Sequence, residues 1–121
     1  MTAIVPSSHS ADKFTRISAA NAHRLISDSS LAKPLKIIDV RGSSDYAKGH
    51  IRGAIHLDYR AMNFTERLQQ MDKRQTYLLY CNDSGRSVKA LRLMKKLGFT
   101  SVYELQGGIK AWRSKGYVTQ R

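Results

Sequence analysis

The chain has 121 residues, of which 41% are hydrophobic and 25% are charged, and its 21 Lys and Arg outnumber nine Asp and Glu to give a net charge of +12. This length fits one domain, and no apolar run approaches the about 18 residues that a membrane-spanning helix needs. We therefore expect a single soluble folded domain that does not enter a membrane and whose surface attracts anions.

The sequence contains a single cysteine, Cys81. One cysteine excludes an intrachain disulfide framework and a zinc site of several thiolates, and the four histidines are scattered. We therefore expect neither a metal site nor a cofactor. The amino-terminal segment shows neither a signal-peptide nor a transit-peptide pattern, so the expected location is cytoplasmic.

The first third of the chain predicts a tail and then alternating helices and strands. Residues 1–13 lack apolar periodicity and are expected to form a flexible tail, whereas 14–121 should form the domain. Ser18 can cap a helix through AANAHRLIS, and LKIIDVR predicts a strand that is buried on both faces of a parallel sheet. SSDYAKG then predicts a short helix that ends at Gly49.

The middle of the chain predicts a second strand and helix before the cysteine. GAIHL has the pattern of an extended strand, and RAMNFTERLQQM predicts a helix whose apolar positions include Met62, Leu68 and Met71. TYLLYC is an apolar, aromatic-rich strand that ends at Cys81. The cysteine therefore lies where a buried strand stops.

The remaining third predicts an amphipathic helix, a strand and a closing helix. SVKALRLMKKLGF places apolar residues on one face, SVYEL is a strand, and GGIKAWRSKG is a short helix that ends at Gly116. Alternating strands and helices predict an α/β sandwich that binds ligands beyond the carboxyl ends of its strands. The polar face of the amphipathic helix is basic and carries Lys89, Arg92, Lys95 and Lys96.

The loop NDSGR separates Cys81 from the start of the amphipathic helix at Ser87. Backbone N–H groups of such a loop can converge on the sulfur, while the helix amino terminus and Arg86 add positive charge. These donors favour thiolate over thiol, provided that the Asp83 carboxylate points outward. The alternative is that Cys81 is a small buried hydrophobe at a strand end.

Three blocks in order carry a family resemblance between about Ile17 and Val118: LKIIDVRGSSDYAKGHIRGAIHLDY, YCNDSGRS and LQGGIKAWRSKGY. The chain resembles a single-domain rhodanese, which is a fold of thiosulfate sulfurtransferases. The resemblance implies a rhodanese-like three-layer sandwich, with a mostly parallel central sheet flanked by helices. The commonest form of the loop has Gly three residues after the Cys, where this chain has Ser84.

The resemblance also implies a chemistry for the loop. Cys81 to Arg86 is the six-residue form of the sulfur-transferring members, whereas related phosphatases and arsenate reductases have one residue more. Cys81 would accept a sulfane sulfur as a persulfide, and Arg86 would hold the anionic donor. The other residues that would bind the substrate are Asn82, Asp83, Ser84, Gly85 and Ser87.

Four polar residues of the first block are expected to be structural. The resemblance assigns Asp39 and Arg41 to linking a strand end with neighbouring loops. Asp45 is expected to pair with Arg41, and His50 is expected to hydrogen-bond the backbone. An already ionised thiolate would need no histidine base.

The expected partners are a small anionic sulfur donor and a thiol or cyanide acceptor, with an acidic protein acceptor as a further candidate. Two other functions stay open: a rhodanese-like binding or regulatory module, and a protein-to-protein sulfur carrier that serves tRNA thiolation. Beyond its charge the sequence shows no nucleic-acid-binding feature, because exposed aromatic residues interleaved with basic ones are not evident.

Overall fold

A computed structural model describes residues 12–28, 30 and 34–121. The described residues form one five-stranded sheet in the order β1-β5-β4-β2-β3, in which every neighbouring pair is parallel. Of the tail expected over residues 1–13, residues 1–11 lie outside the described residues. The strands are β1 Lys13–Ile17, β2 Lys36–Asp39, β3 Ile55–His56, β4 Thr76–Tyr80 and β5 Ser101–Leu105.

Helices cover both faces of this sheet. The helices Phe64–Gln69 and Gly85–Lys96 bury apolar residues in one core cluster. The helices Ala19–Ser27 and Gly108–Ser114 bury theirs in the other. The arrangement confirms the predicted three-layer α/β sandwich. No helix in the described part of the chain is long and apolar enough to cross a membrane. The helices are α1 Ala19–Ser27, α2 Ser43–Lys48, α3 Phe64–Gln69, α4 Gly85–Lys96 and α5 Gly108–Ser114.

Strand β1 was not predicted from the sequence. It pairs with β5 along its whole length, from Lys13 opposite Ser101 to Ile17 opposite Leu105. As an edge strand it is only half covered, so its sequence KFTRI mixes polar and apolar residues and lacks the continuous apolar run of a buried strand. The helix that follows matches its prediction, since the Ser18 hydroxyl accepts a hydrogen bond from the Asn21 N–H at 3.1 Å.

The helix predicted over RAMNFTERLQQM is shorter than expected. It begins only at Phe64, and Met62 is fully exposed at 104% of its reference area. The chain before Phe64 turns, with the Ala61 N–H bonded to the Asp58 carbonyl and the Phe64 N–H bonded to the Ala61 carbonyl. Met62 therefore lies on a turn and does not belong to the buried face, which Phe64 and Leu68 supply.

The turn between β5 and α5 supports the backbone around Cys81. The Ile109 N–H donates to the Cys81 carbonyl at 2.9 Å, and the Lys110 N–H donates to the Asn82 carbonyl at 3.3 Å. Gly108, which precedes Ile109 and Lys110, has φ +62°, and a Cβ placed on it would lie 2.4 Å from the Asn82 carbonyl carbon and oxygen. Only glycine permits this approach, so Gly108 sets the position of the Cys81 loop.

Gly108→Ala should lower the free energy of unfolding by about 2 to 4 kcal/mol, because the strain of a positive φ and the overpacking against Asn82 add. Gly53→Ala is the matched control, since Gly53 has φ +83° and no atom lies within 4 Å of the place that its Cβ would take. It should cost only about 1 kcal/mol. Urea denaturation of both variants measures the difference, and equal losses would contradict the close approach.

Candidate active site

The Cys81 sulfur lies directly after β4, at the edge of the sheet where β2 and β5 also end. Its side chain is free and only 1% exposed. The Ser84 N–H donates to Sγ at 3.1 Å, and the Ser87 hydroxyl lies 3.3 Å from Sγ. The sulfur therefore meets a backbone donor and a hydroxyl group at the amino terminus of α4, where partial positive charge favours an anion.

The rest of the loop differs in part from the expected convergence of amides on the sulfur. The Gly85 N–H donates to Oδ1 of Asp83 at 3.4 Å instead of to the sulfur. Asp83 itself is exposed, so its side chain lies toward solvent as the sequence required. Among the described hydrogen bonds, Sγ receives one backbone donor, from Ser84, and Ser87 contributes its side chain.

Ser84 occupies the position where the resemblance led us to expect glycine. It is buried and has φ 114°, the only residue other than glycine with a positive φ in the described part of the chain. Its hydroxyl donates to the Leu105 carbonyl at 3.3 Å and accepts from the Gly107 N–H at 2.9 Å. The side chain thus fastens the loop to the β5–α5 turn and offsets part of its backbone strain.

Asn82 faces away from the sulfur toward a buried ion pair. Its Oδ1 accepts from Arg41 Nη1 at 3.4 Å, and its Nδ2 donates to Asp45 Oδ2 at 3.4 Å. Arg41 binds Asp39 with two nitrogens, at 3.0 Å from Nε and 2.7 Å from Nη2. The expected ion pair between Arg41 and Asp45 is wrong, because the Asp39 carboxylate and the Gly49 carbonyl take the guanidinium.

Burial and the charges of this cluster shift the pKa values of Arg41 and Tyr80. Burial disfavours the charge of Arg41, but Asp39 outweighs it, so that the pKa of Arg41 is raised. Burial, and then the Asp39 charge, raise the pKa of Tyr80, whose hydroxyl accepts from the Ile51 N–H at 3.0 Å. His50 contacts the Tyr46 carbonyl through Nδ1 at 2.9 Å, the backbone contact predicted for it. Among the described hydrogen bonds, those of Cys81 Sγ involve Ser84 and Ser87 and none of these residues.

Arg86 lies in the first turn of α4 and is partly buried. The ion pairs formed by the described residues are Arg16 with Glu104 and Arg41 with Asp39, and Arg86 takes part in neither. Within the described part of the chain, no acidic residue forms an ion pair with it. The basic residues predicted on the outer face of the same helix are all exposed: Lys89, Arg92, Lys95 and Lys96.

Glu104 was not singled out by the sequence, yet it lies two hydrogen bonds from the sulfur. It is completely buried near the carboxyl end of β5. Ser87 Oγ donates to its Oε2 at 2.5 Å, and Arg16 Nε donates to its Oε1 at 2.9 Å. An acidic residue inside an otherwise buried strand is the signal that could have identified it, because such a group requires partners.

The order of elements, the parallel sheet and a lone cysteine at the end of β4 agree with a match of residues 18–115 to the rhodanese-like domain. The chain belongs to the rhodanese-like domain family. A solved structure of the rhodanese-like domain of the Anabaena protein Alr3790 superimposes with a TM-score of 0.75. The two are 27% identical, over 87% of this chain and 77% of that one.

Two curated relatives extend this rhodanese-like assignment. The probable adenylyltransferase/sulfurtransferase MoeZ of Mycobacterium tuberculosis is 39% identical over 80 residues, which are 66% of this chain but 20% of that protein. The chain thus matches only a fifth of MoeZ. The thiosulfate sulfurtransferase GlpE of Pseudomonas entomophila is 31% identical over 102 residues, which are 84% of this chain and 87% of GlpE.

Two substitutions at Ser84 should separate its hydrogen bonds from its backbone strain. Ser84→Ala should lower the free energy of unfolding by about 1 to 3 kcal/mol, because it leaves the Leu105 carbonyl and the Gly107 N–H without the hydroxyl. Ser84→Gly loses the same bonds but relieves the positive φ, so it should be about 1 kcal/mol more stable than the Ala variant. Urea denaturation measures both, and a Gly variant less stable than the Ala variant would contradict this account.

Proposed function

We propose that this rhodanese-like domain is a sulfurtransferase that moves a sulfane sulfur from thiosulfate, or a similar small anion, to a thiol or cyanide. The observation that carries the proposal is the Cys81 sulfur, held by the Ser84 N–H at the amino terminus of α4. The similarity to GlpE, which matches over most of both chains, supports thiosulfate as the donor. This thiol chemistry fits a reducing compartment, and we place the protein in the cytoplasm.

The reaction consists of two half-reactions on one sulfur atom. The Cys81 thiolate attacks the outer sulfur of thiosulfate, a new S–S bond forms, and sulfite leaves with the electron pair of the bond that breaks. The persulfide stays on Cys81 until the acceptor attacks its outer sulfur and the Cys81 thiolate departs. Because the enzyme is modified between the two steps, ping-pong kinetics are expected.

The loop supplies the positive charge for an anionic donor. Arg86, which forms no ion pair with the described acidic residues, binds the donor and stabilises the charge on the sulfur atoms. The six residues from Cys81 to Arg86 match the loop length of the sulfur-transferring members of the family, and by this resemblance we favour a sulfur donor over a phosphate ester. The bound donor also meets Gly85 and Ser87, whereas the side chains of Asn82 and Ser84 are engaged in holding the loop. The exposed Asp83 keeps its charge away from the donor.

A protein acceptor is a second candidate for the last step. Lys89, Arg92, Lys95 and Lys96 lie exposed on the helix that begins at the active-site loop. A cationic face in this place favours an acidic protein that approaches the persulfide. The chain would then serve as a protein-to-protein sulfur carrier, whereas a rhodanese-like module without chemistry would leave Cys81 unmodified.

Incubation with thiosulfate should add the mass of one sulfur atom to the protein, because the loop stabilises a persulfide anion on Cys81. Intact-mass spectrometry measures the gain, and cyanide should remove it. Cys81→Ser is the matched control and should gain nothing, since Cys81 is the only cysteine of the chain. An unchanged wild-type mass would contradict the proposal, as would efficient hydrolysis of an aryl phosphate by Cys81.

Arg86→Ala should lower kcat/KM for thiosulfate about 10- to 100-fold, because a charge-assisted hydrogen bond contributes roughly 1.5 to 3 kcal/mol. Lys89→Ala removes one charge from the exposed face of the same helix and should change kcat/KM much less. Steady-state kinetics of the two variants at equal ionic strength measure the difference. Equal effects would mean that Arg86 acts only through the overall electrostatic potential of the protein and does not contact the donor.

A further inference from the structure

The sulfur transfer described above leaves one buried titratable group without a role. Glu104 lies on β5 between two neighbouring strands, opposite Arg16 of β1 and opposite Leu79 of β4. It has no exposed surface. Burying a carboxylate is costly unless it is paired and hydrogen-bonded, so its partners indicate why the fold accepts it.

The direction of the hydrogen bonds ties Glu104 to the cysteine. A carboxylate can only accept, so the single proton of the Ser87 hydroxyl goes to Glu104 Oε2 at 2.5 Å, the short distance of a charge-assisted bond. Ser87 Oγ then meets Cys81 Sγ, 3.3 Å away, only as an acceptor. The resting site is therefore a chain in which the thiol donates to Ser87 and Ser87 donates to Glu104.

We propose that Glu104 accepts the proton of the Cys81 thiol through Ser87 when Cys81 attacks its substrate. The S–H bond breaks and its proton forms a new O–H bond on Ser87, while the original Ser87 proton passes to Glu104 Oε2. The products are a thiolate that faces the Ser87 hydroxyl and a neutral carboxylic acid. Glu104 never touches the sulfur and is a positioning residue that acts through Ser87.

This relay conserves the net charge of two buried groups. Cys81 and Glu104 are both buried, and together they hold one negative charge before and after the transfer. An incoming dianion thus meets the same net charge in both states. The proton returns along the same path after the acceptor has taken the sulfur and Cys81 has left as a thiolate. The proposal rests on Cys81 as the nucleophile of the proposed sulfur transfer.

Among the described residues, the charged groups next to this chain of hydrogen bonds are Arg16 of β1 and Arg86, which precedes Ser87 in the first turn of α4. Strand β1 contributes Arg16, whose Nε binds Glu104 Oε1, and β4 contributes Leu79 and then Cys81 itself. The buried residues of α4 carry no charge: Ser87, Ala90, Leu91 and Met94. The Arg16 side chain is 44% exposed, so solvent screens its charge.

The test is the pH dependence of Cys81 reactivity toward iodoacetamide, measured by intact mass on the whole chain. The wild-type rate should be nearly level across neutral pH, because the proton goes to Glu104. In Glu104→Gln, which keeps the shape of the side chain, the rate should fall about tenfold for each lower pH unit. The deficit should reach about 100-fold at the acidic end and vanish at alkaline pH, where the thiol ionises to solvent.

Substitutions at two neighbouring residues make the test specific. Ser87→Ala interrupts the relay while both ends remain, and it should show the same pH-dependent deficit, which Ser87→Thr should rescue. Arg16→Gln removes the ion pair and leaves the relay intact, so its profile should stay level. If Glu104→Gln fails to fold, as judged by circular dichroism, the Ser87 pair decides the question by itself.

Three results would overturn the relay. A loss that is equal at every pH would mean that Glu104 only supports the structure. Faster reaction of Glu104→Gln at acidic pH would mean that the carboxylate merely opposes the thiolate. A folded wild type that never reacts, although the urea-unfolded chain does, would mean that Cys81 is not a nucleophile. By contrast, a level wild-type profile without sulfur uptake from thiosulfate leaves the relay standing and rejects only the proposed donor.

Discussion

The contact between the Cys81 loop and the β5–α5 turn is the constraint on which the site depends. Gly108 lies so close to the Cys81 and Asn82 backbone that any Cβ would collide, and the Ile109 N–H fixes the Cys81 carbonyl. Ser84 joins the same two segments through its hydroxyl. Because both ends of the loop are held, its one strained residue can direct an N–H at the sulfur.

Two buried acidic residues flank the cysteine, and their partners give them different roles. Asp39 accepts hydrogen bonds from Nε and Nη2 of Arg41, whose guanidinium also donates to Asn82 and to the Gly49 carbonyl, so Asp39 has a structural role. Glu104 has one half-exposed arginine and one hydroxyl that leads to the sulfur. Among the described hydrogen bonds of Glu104, the one from Ser87 leads toward Cys81, which is the placement that the proposed proton transfer needs.

The edge strand β1 contributes an exposed arginine to the surroundings of Cys81. Its Arg16 reaches Glu104 from a half-covered position, so part of the electrostatics of a buried site depends on an exposed side chain. A fold does not by itself determine the chemistry of a site, which depends on individual side chains. In this chain, Ser84 of the loop and Ser87 of α4 contact the sulfur, and Glu104 of β5 binds Ser87.

Elements whose signals are local could be predicted from the sequence alone. These are the Ser18 cap, the apolar runs of β2 and β4, the amphipathic α4 and a loop cysteine at a strand end, because each depends on neighbours along the chain. The surroundings of the sulfur, in contrast, depend on the packing of distant segments. Arg16 and Glu104 meet across 88 residues, and Ser87 and Glu104 across 17, so their hydrogen bonds require a particular strand register and a particular helix over that face. The sequence did not predict strand β1 or the turn that exposes Met62, for the same reason. Tertiary packing, and not local propensity, determines the conformation of both segments.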